Sequence, residues 1–270
     1  MTNKHLKVCV VGASGRMGIE VIREIEADPE TVLSGAIERS DNEKIGTSAL
    51  ELAGCGHGGC VVTSDIESVS EVSDIIIDFS GAEGTHENIN SYWSADMPLV
   101  VGSTGLSDVQ LEELLKLQKY IPLLVSSNMS LGVNVITKLA EIAAQTLGSD
   151  FDIEIFEAHH KHKKDAPSGT ALKLSETVAN ARGLTGKTAV YSRHGHTGER
   201  KKDIIGFQVM RGGDIAGEHT VFFCGEGERV EITHRATSRH IFAKGAVKAA
   251  KWLAAKPNGL YSMKDVLGLK

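Results

Sequence analysis

Gly12-Ala-Ser-Gly15-Arg-Met-Gly18 follows a short apolar run, Leu6–Val11, and leads straight into a helical pattern. That order leaves few folds open. The apolar run reads as a buried parallel strand. From Arg16 to Ala27 the spacing of Met17, Val21, Ile22 and Ile25 marks one apolar helix face. A glycine turn between such a strand and helix lets backbone N–H groups reach a pyrophosphate, whose charge the helix N-terminus favours. The expected contacts are Gly12, Ala13, Ser14, Gly15, Arg16 and Met17. Gly-x-x-Gly-x-x-Gly differs from the commoner Gly-x-Gly-x-x-Gly, so position carries the argument more than pattern does. The competing reading is a tight strand–helix turn with surface charges. Against it stands Glu38 at the end of a second strand, Thr31–Ile37, where a carboxylate can accept both hydroxyls of an adenosine ribose. Arg39 follows directly and could hold a 2′-phosphate, so the expected cofactor is NADH or NADPH with the preference open.

Strand patterns recur at Val61–Thr63, Ile75–Phe79, Leu99–Val101 and Leu123–Val125, with helical stretches Glu83–Ala95 and Asp108–Lys119 between them. Alternation of this kind predicts an α/β, Rossmann-like parallel sheet with helices on both faces. Ligands bind at the carboxyl edge of such sheets, so three further loops are expected at the cofactor. They are Phe79-Ser80-Gly81, Gly102-Ser103-Thr104-Gly105 and Ser126-Ser127-Asn128-Met129.

After Ser130 the pattern changes. Leu131–Leu147 reads as a long helix, Phe151–Ala158 as a strand and Thr170–Arg182 as a helix. From Ile204 to Ala236 strands alternate with turns at Arg211-Gly-Gly-Asp214 and Cys224-Gly-Glu-Gly-Glu228. This predicts an α+β unit with a mixed or antiparallel sheet. Phe242–Ala255 is an Ala-rich amphipathic helix expected to pack on the first domain. The predicted division is residues 1–130, completed by 240–270, for dinucleotide binding, and 131–239 for substrate binding and oligomerisation.

Chemistry concentrates in Glu157-Ala-His-His-Lys-His-Lys-Lys-Asp-Ala-Pro-Ser-Gly-Thr-Ala171. Six imidazole or ammonium groups fall between His159 and Lys164, and a Pro-Ser-Gly-Thr turn then opens a helix. Donors and cations beside a helix N-terminus suit a small anion that must also receive a proton. A solvated basic loop is the plain alternative. Because the chain as a whole carries a formal net charge of -6, the cluster is local. It suits a small acid better than a nucleic acid or a membrane surface. Neighbouring residues at a strand end point to opposite faces, so His159 and His160 are expected to diverge. Lys161, His162 and Lys164 are expected in solvent, and Asp165 beside a local cation or as a turn cap. Lys163 among cations is expected to have a lowered pKa.

Four scattered cysteines fit reduced thiols. Cys55-Gly-His-Gly-Gly-Cys60 matches no common zinc spacing, so no metal is expected. No run reaches a membrane span and the N-terminal residues lack a signal-peptide core, which predicts a cytoplasmic protein.

Taken together, Gly12–Gly18, Glu38-Arg39, Gly102-Ser-Thr104 and Glu157–Ala171 resemble the 4-hydroxy-tetrahydrodipicolinate reductase (dihydrodipicolinate reductase) family over essentially the whole chain. Arg211-Gly-Gly-Asp-Ile-Ala-Gly-Glu-His219 and Arg239-His-Ile-Phe-Ala-Lys-Gly-Ala246 add to the likeness. The resemblance implies NAD(P)H-dependent reduction of a cyclic imine dicarboxylate with net loss of water, in lysine and diaminopimelate biosynthesis. It implies that His159 donates or accepts a proton, that Lys163 is the proton donor, and that His160, Gly169 and Thr170 bind substrate. It also implies a homotetramer. Met129 departs from the aromatic that relatives often carry, and a thioether there would pack more loosely against a nicotinamide. Arg239 is a further candidate for a second substrate carboxylate. Other NAD(P)-dependent dehydrogenases, a dinucleotide-binding redox sensor and a His159–His160–His162 metalloprotein are the competing readings. The last is opposed by the divergent histidines and the repelling lysines.

Overall fold

The computed structural model describes residues 5–269. The described residues divide into two compact units, one made of 5–131 and 239–269 and the other of 132–238.

The first unit begins β1 (Leu6–Val11), α1 (Arg16–Ala27), β2 (Thr31–Ile37), α2 (Ala49–Ala53), β3 (Val62–Thr63) and α3 (Ile66–Ser70). It continues with β4 (Ile75–Asp78), α4 (Gly81–Glu87), α5 (Ile89–Ala95), β5 (Leu99–Val101), α6 (Asp108–Leu115) and β6 (Pro122–Val125). The second unit holds α7 (Leu131–Leu147), β7 (Asp152–His159), α8 (Gly169–Ala181), β8 (Ala189–Val190), β9 (Ile205–Arg211), β10 (Gly217–Cys224) and β11 (Arg229–Ala236). The chain then returns to the first unit with α9 (His240–Leu253), β12 (Gly259–Tyr261) and α10 (Met263–Leu267).

The first sheet is parallel throughout, in the order β12-β6-β5-β4-β1-β2-β3. Both faces are covered, as the unbroken apolar strands require. Val8 and Val10 of β1 point into a core with Val21, Ile22 and Ile25 of α1 and Ala243, Ala246 and Leu253 of α9. Cys9 and Val11 point the other way, toward Tyr92 of α5 and Leu114 of α6. Chain order reverses between β1 and β4, which places the switch point beside the glycine turn.

Two stretches read as single helices are divided. Glu83–Ala95 breaks at Asn88 into α4 and α5, and Asp108–Lys119 tightens after Leu115 into a 3-10 turn, Lys116–Lys119. The Ser107/Gln110 capping box fixes where α6 begins.

The second sheet is mixed, in the order β11-β10-β7-β9-β8. The strand–turn–strand pattern after Ile204 suggests a hairpin of β9 and β10, but these strands are not neighbours. β9 pairs in parallel with one edge of β7, and β10 pairs antiparallel with the other. The glycine turn between them passes over the end of β7, where the Gly212 N–H donates to the His159 carbonyl (3.0 Å) and the Lys161 N–H to the Gly213 carbonyl (3.2 Å). Ile153, Ile155, Phe207, Val221 and Phe223 pack with Ile136 and Ala140 of α7 and Leu174 and Val178 of α8. The opposite face carries Phe156, Thr220 and Phe222, with exposed Gln208 and Met210.

Candidate active site

At the carboxyl edge of the first sheet, Gly12 takes φ +79°, and a Cβ there would lie 2.8 Å from the Phe79 carbonyl. Only glycine lets the turn pass so close to the β4 loop. The turn is held by its own backbone. Gly12 and Ala13 N–H groups both donate to the Ile37 carbonyl (2.9 and 3.1 Å), and Gly15 N–H to the Gly12 carbonyl (3.1 Å). Ser14 N–H and its hydroxyl both donate to Glu38 Oε1, each at 2.7 Å. The expected cradle of loop amides is therefore narrower than the glycine pattern suggests. Gly12 to Gly15 shape the turn, and the amides without an intrahelical acceptor by position begin at Arg16 and Met17.

Glu38 has a partner that the sequence did not disclose. Asn42 donates to Glu38 Oε2 (3.0 Å) and to the Ser14 hydroxyl (3.1 Å). Three donors thus meet a carboxylate with about four acceptor positions, leaving room for a further hydroxyl. Arg39 is exposed, its Nε 3.6 Å from Asp41. A cavity of about 660 Å³ opens here, lined by Gly12, Ser14, Gly15, Glu38, Arg39, Asn42 and Ser80 among others. Its size and polar lining fit a nucleotide.

Of the other predicted cofactor loops, Phe79 and Ser80 line that cavity, whereas Gly102–Gly105 and Ser126–Met129 sit at the same sheet edge but are not among its lining residues. Ser103 is buried; its hydroxyl accepts from Gly81 N–H (2.9 Å) and donates to Asp78 (3.4 Å). Asp78, wholly buried, also receives the Ser80 N–H and hydroxyl, each at 2.7 Å. Burial pushes its carboxyl pKa up. Gly102 is pressed against the Phe79 ring, and Thr104 and Ser127 are exposed. The Ser126 hydroxyl donates to the Asn128 carbonyl (2.9 Å). Met129 differs from expectation: its side chain is buried in the core with α9, and its carbonyl lies against Gly245.

In the second unit, His159 ends β7 and is 9% exposed. Its Nδ1 meets Glu157 Oε2 at 2.6 Å, and Glu157 is fully buried. Two residues apart on a strand, the side chains share one face. Arg211, the register partner of His159 on β9, donates to both Glu157 oxygens at 2.8 Å. The Ser168 N–H adds a fourth hydrogen bond at 3.0 Å. Burial raises the Glu157 pKa, but the Arg211, His159 and Ser168 donors outweigh it and the net is lowered. For His159 burial dominates and the pKa is lowered, with Lys163 and Arg211 adding to the shift and Glu157 opposing it.

Ser168 caps α8. Its hydroxyl accepts from Ala171 N–H (3.2 Å) and meets His219 Nε2 at 2.9 Å. Because the Ser168 amide is used by Glu157, the helix cradle for an anion begins one residue later, at Gly169. Gly169 is exposed and Thr170 half-buried. His219 packs edge-on against His159, ring centroids 5.1 Å apart. Burial, then the neighbouring His159, push its pKa down to about 3.

Lys163 is the local cation expected beside Asp165. Its Nζ is 2.9 Å from Asp165 Oδ1, so its immediate neighbour is an anion. That hydrogen bond lowers the Asp165 pKa. His160 is half-buried, and its buried Nδ1 has no partner among the described residues. Lys161, His162 and Lys164 are exposed. Arg239 is exposed at the start of α9, in the first unit. Glu157, Arg211 and His219 lie in the stretches that carry the resemblance but had no role assigned to them, and the Ser168 N–H, expected to help cradle a substrate carboxylate, is taken by Glu157 instead. Among the described residues no three side chains gather to hold a metal, and no helix is long and apolar enough to cross a membrane.

Residues 6–129 match the profile for the dihydrodipicolinate reductase N-terminus, and residues 132–267 that for its C-terminus. The chain belongs to the dihydrodipicolinate reductase family. A 4-hydroxy-tetrahydrodipicolinate reductase of Anaeromyxobacter dehalogenans is 49% identical over 265 residues, covering 98% of each chain. One from Nitrosospira multiformis is 47% identical over 268 residues, again covering 98% of each. Among solved structures, a dipicolinate-bound dihydrodipicolinate reductase from Paenisporosarcina sp. TG-14 shares the fold. It matches at TM-score 0.75 and 24% identity, covering 96% of this chain and 97% of that one.

Proposed function

We propose that this member of the reductase family reduces 4-hydroxy-tetrahydrodipicolinate to tetrahydrodipicolinate, with loss of water, in the diaminopimelate route to lysine. The observation that carries this reading is the proximity in sequence and in one unit of the buried His159, the Lys163 ammonium and the open N-terminus of α8 at Gly169. NADH or NADPH, when bound, supplies hydride to the conjugated imine. Hydride addition drives negative charge through the ring, and a positioned acid quenches it. His159 and Lys163 hold that proton supply, Gly169 and Thr170 take a carboxylate at the helix N-terminus, and His160 binds substrate. Lys163 is released from Asp165 to face the substrate.

On the dinucleotide, Glu38 takes ribose hydroxyls, Arg39 answers a 2′-phosphate, and Arg16 and Met17 amides meet the pyrophosphate. Gly12, Ala13, Ser14 and Gly15 shape that turn. Gly102, Ser103 and Thr104, with Ser126, Ser127, Asn128 and Met129, frame the remainder of the cofactor through backbone groups. We also read the protein as a cytoplasmic homotetramer. Support for assembly comes from the sheet face of the second unit that bears Phe156, Phe222 and exposed Met210. Sedimentation of the purified protein tests it, a monomer being the adverse result.

The activity is tested by following oxidation of NADH and of NADPH with substrate generated from pyruvate and aspartate semialdehyde by the preceding synthase. Synthase-dependent oxidation is expected with at least one dinucleotide. Its absence with both would sink the reading.

A further inference from the structure

Glu157 is the one wholly buried carboxylate beside the proposed proton-transfer groups, and its acceptor positions are all taken. Oε2 receives His159 Nδ1 (2.6 Å) and one Arg211 nitrogen (2.8 Å); Oε1 receives the other Arg211 nitrogen (2.8 Å) and the Ser168 N–H (3.0 Å). Four donors fill the roughly four lone-pair sites of a carboxylate and outweigh the burial that favours its acid form. Arg211 also donates to the Met210 and Asp165 carbonyls (both 2.7 Å). Glu157, with Arg211, therefore joins the ends of β7 and β9, the Lys163–Asp165 loop and the cap residue of α8.

We propose that Glu157 is a positioning residue for the reaction: it fixes the ring of His159 with the proton on Nδ1, so that Nε2 is the atom that exchanges a proton with substrate. This rests on the proposed role of His159. An anionic carboxylate at 2.6 Å accepts and cannot donate, so Nδ1 carries the hydrogen in both charge states of the ring. Nε2 is then the acceptor in neutral His159 and the donor in its cation. That atom lies against Gly217, where a side chain would crowd it. Gly217 has φ +156°, and a Cβ built on it would lie 3.1 Å from Nε2. The groups around the ring are Glu157 on its own strand, Arg211 from β9, His219 from β10, and Lys163 from the following loop.

The same carboxylate fixes the distance between acid and anion cradle. Its bond to the Ser168 N–H pins the residue whose hydroxyl caps α8. A shift of Glu157 therefore moves the His159 ring and the start of the Gly169 cradle together, and misplacement of this kind is costly in turnover.

Two measurements test the proposal. In wild-type protein labelled with nitrogen-15 at histidine, the His159 resonance, assigned by its absence in His159→Asn, should show hydrogen on Nδ1 and a bare Nε2 when the ring is neutral. The opposite tautomer would overturn the proposal, and this readout stands even if turnover with the proposed substrate is never seen. In Glu157→Gln, kcat should fall on the order of 100-fold, as for a misplaced catalytic group. The KM for NADH should stay near wild type. The limb of the pH–rate profile that belongs to His159 should move to lower pH, because a neutral amide no longer favours the imidazolium. Loss of kcat with an unmoved limb and an unchanged tautomer would make Glu157 merely structural and end the argument. If Glu157→Gln does not fold, the wild-type tautomer alone decides.

Discussion

Ser14 and Glu38 are joined twice through a single oxygen: amide and hydroxyl of the serine both reach Glu38 Oε1 at 2.7 Å. The acidic residue expected to read a ribose is thus also the brace of the glycine turn, and Asn42 completes it from the far side. Removing Asn42 leaves Glu38 with two donors in place of three. Asn42→Ala should weaken dinucleotide affinity by about 1 kcal/mol, or roughly fivefold in Kd. Fluorescence titration with NADH and NADPH measures it, and an unchanged Kd for both would show that the brace does not hold the site.

Gly217 tests access to His159. Gly217→Ala puts a methyl 3.1 Å from Nε2 and strains a backbone at φ +156°. Turnover should drop on the order of tenfold or more, the cost of displacing a reacting group by a fraction of an ångström. NADH affinity, set in the other unit, should hold. Wild-type kcat in this variant would remove Nε2 from the reaction path.

His219 makes stability depend on pH. Its folded pKa is about 3, well below the ordinary histidine value of 6.5. The unfolded chain binds the extra proton first, so stability is full above pH 6.5 and is lost as pH falls toward 3. The expected slope from this one group is about 1.4 kcal/mol per pH unit. His159 and His234, also lowered chiefly by burial, add in the same direction. Urea unfolding between pH 6.5 and 5 should give a lower midpoint at the acid end, and His219→Asn should flatten the dependence. Equal slopes in the two proteins would refute the assignment.

Gly245 tests the closure of the first core. A Cβ there would lie 1.8 Å from the Met129 carbonyl, a backbone atom with no freedom to yield. Gly245→Ala should cost at least about 1–3 kcal/mol, the usual range for overpacking. The thermal midpoint reports it, and a midpoint equal to wild type would mean that α9 can shift freely.

Much of the first unit was readable because its periods are local. Leu6–Val11, Arg16–Ala27 and Thr31–Ile37 occupy the residues that their apolar spacing predicts. Short α2 and α3 escaped, since one turn or so carries too little pattern to separate from a loop. The placing of β9 and β10 on opposite edges of β7 was not legible, because turn chemistry at Gly212-Gly213 says that the chain reverses, not which strand it returns beside. The same limit governs the site. His159 and Lys163 stood out by composition in one short stretch. Glu157, Arg211 and His219 come together only through the register of β7 with β9 and β10, which pairs residues more than fifty positions apart. Asn42 was hidden for a different reason: a loop amide has no periodicity to betray it.

The first unit is built from two separated stretches of chain, with the whole of 132–238 between them. Ala243, Ala246, Ala249, Ala250 and Leu253 of α9 fill its core, and β12 extends its sheet beside β6. During synthesis, then, the glycine turn leaves the ribosome before the inserted unit but cannot rest on a finished core until the stretch after Arg239 has emerged. The inserted unit is continuous in sequence and has no such wait. The nucleotide half is therefore begun before the inserted unit, yet the last residues of its core are made after that unit is whole.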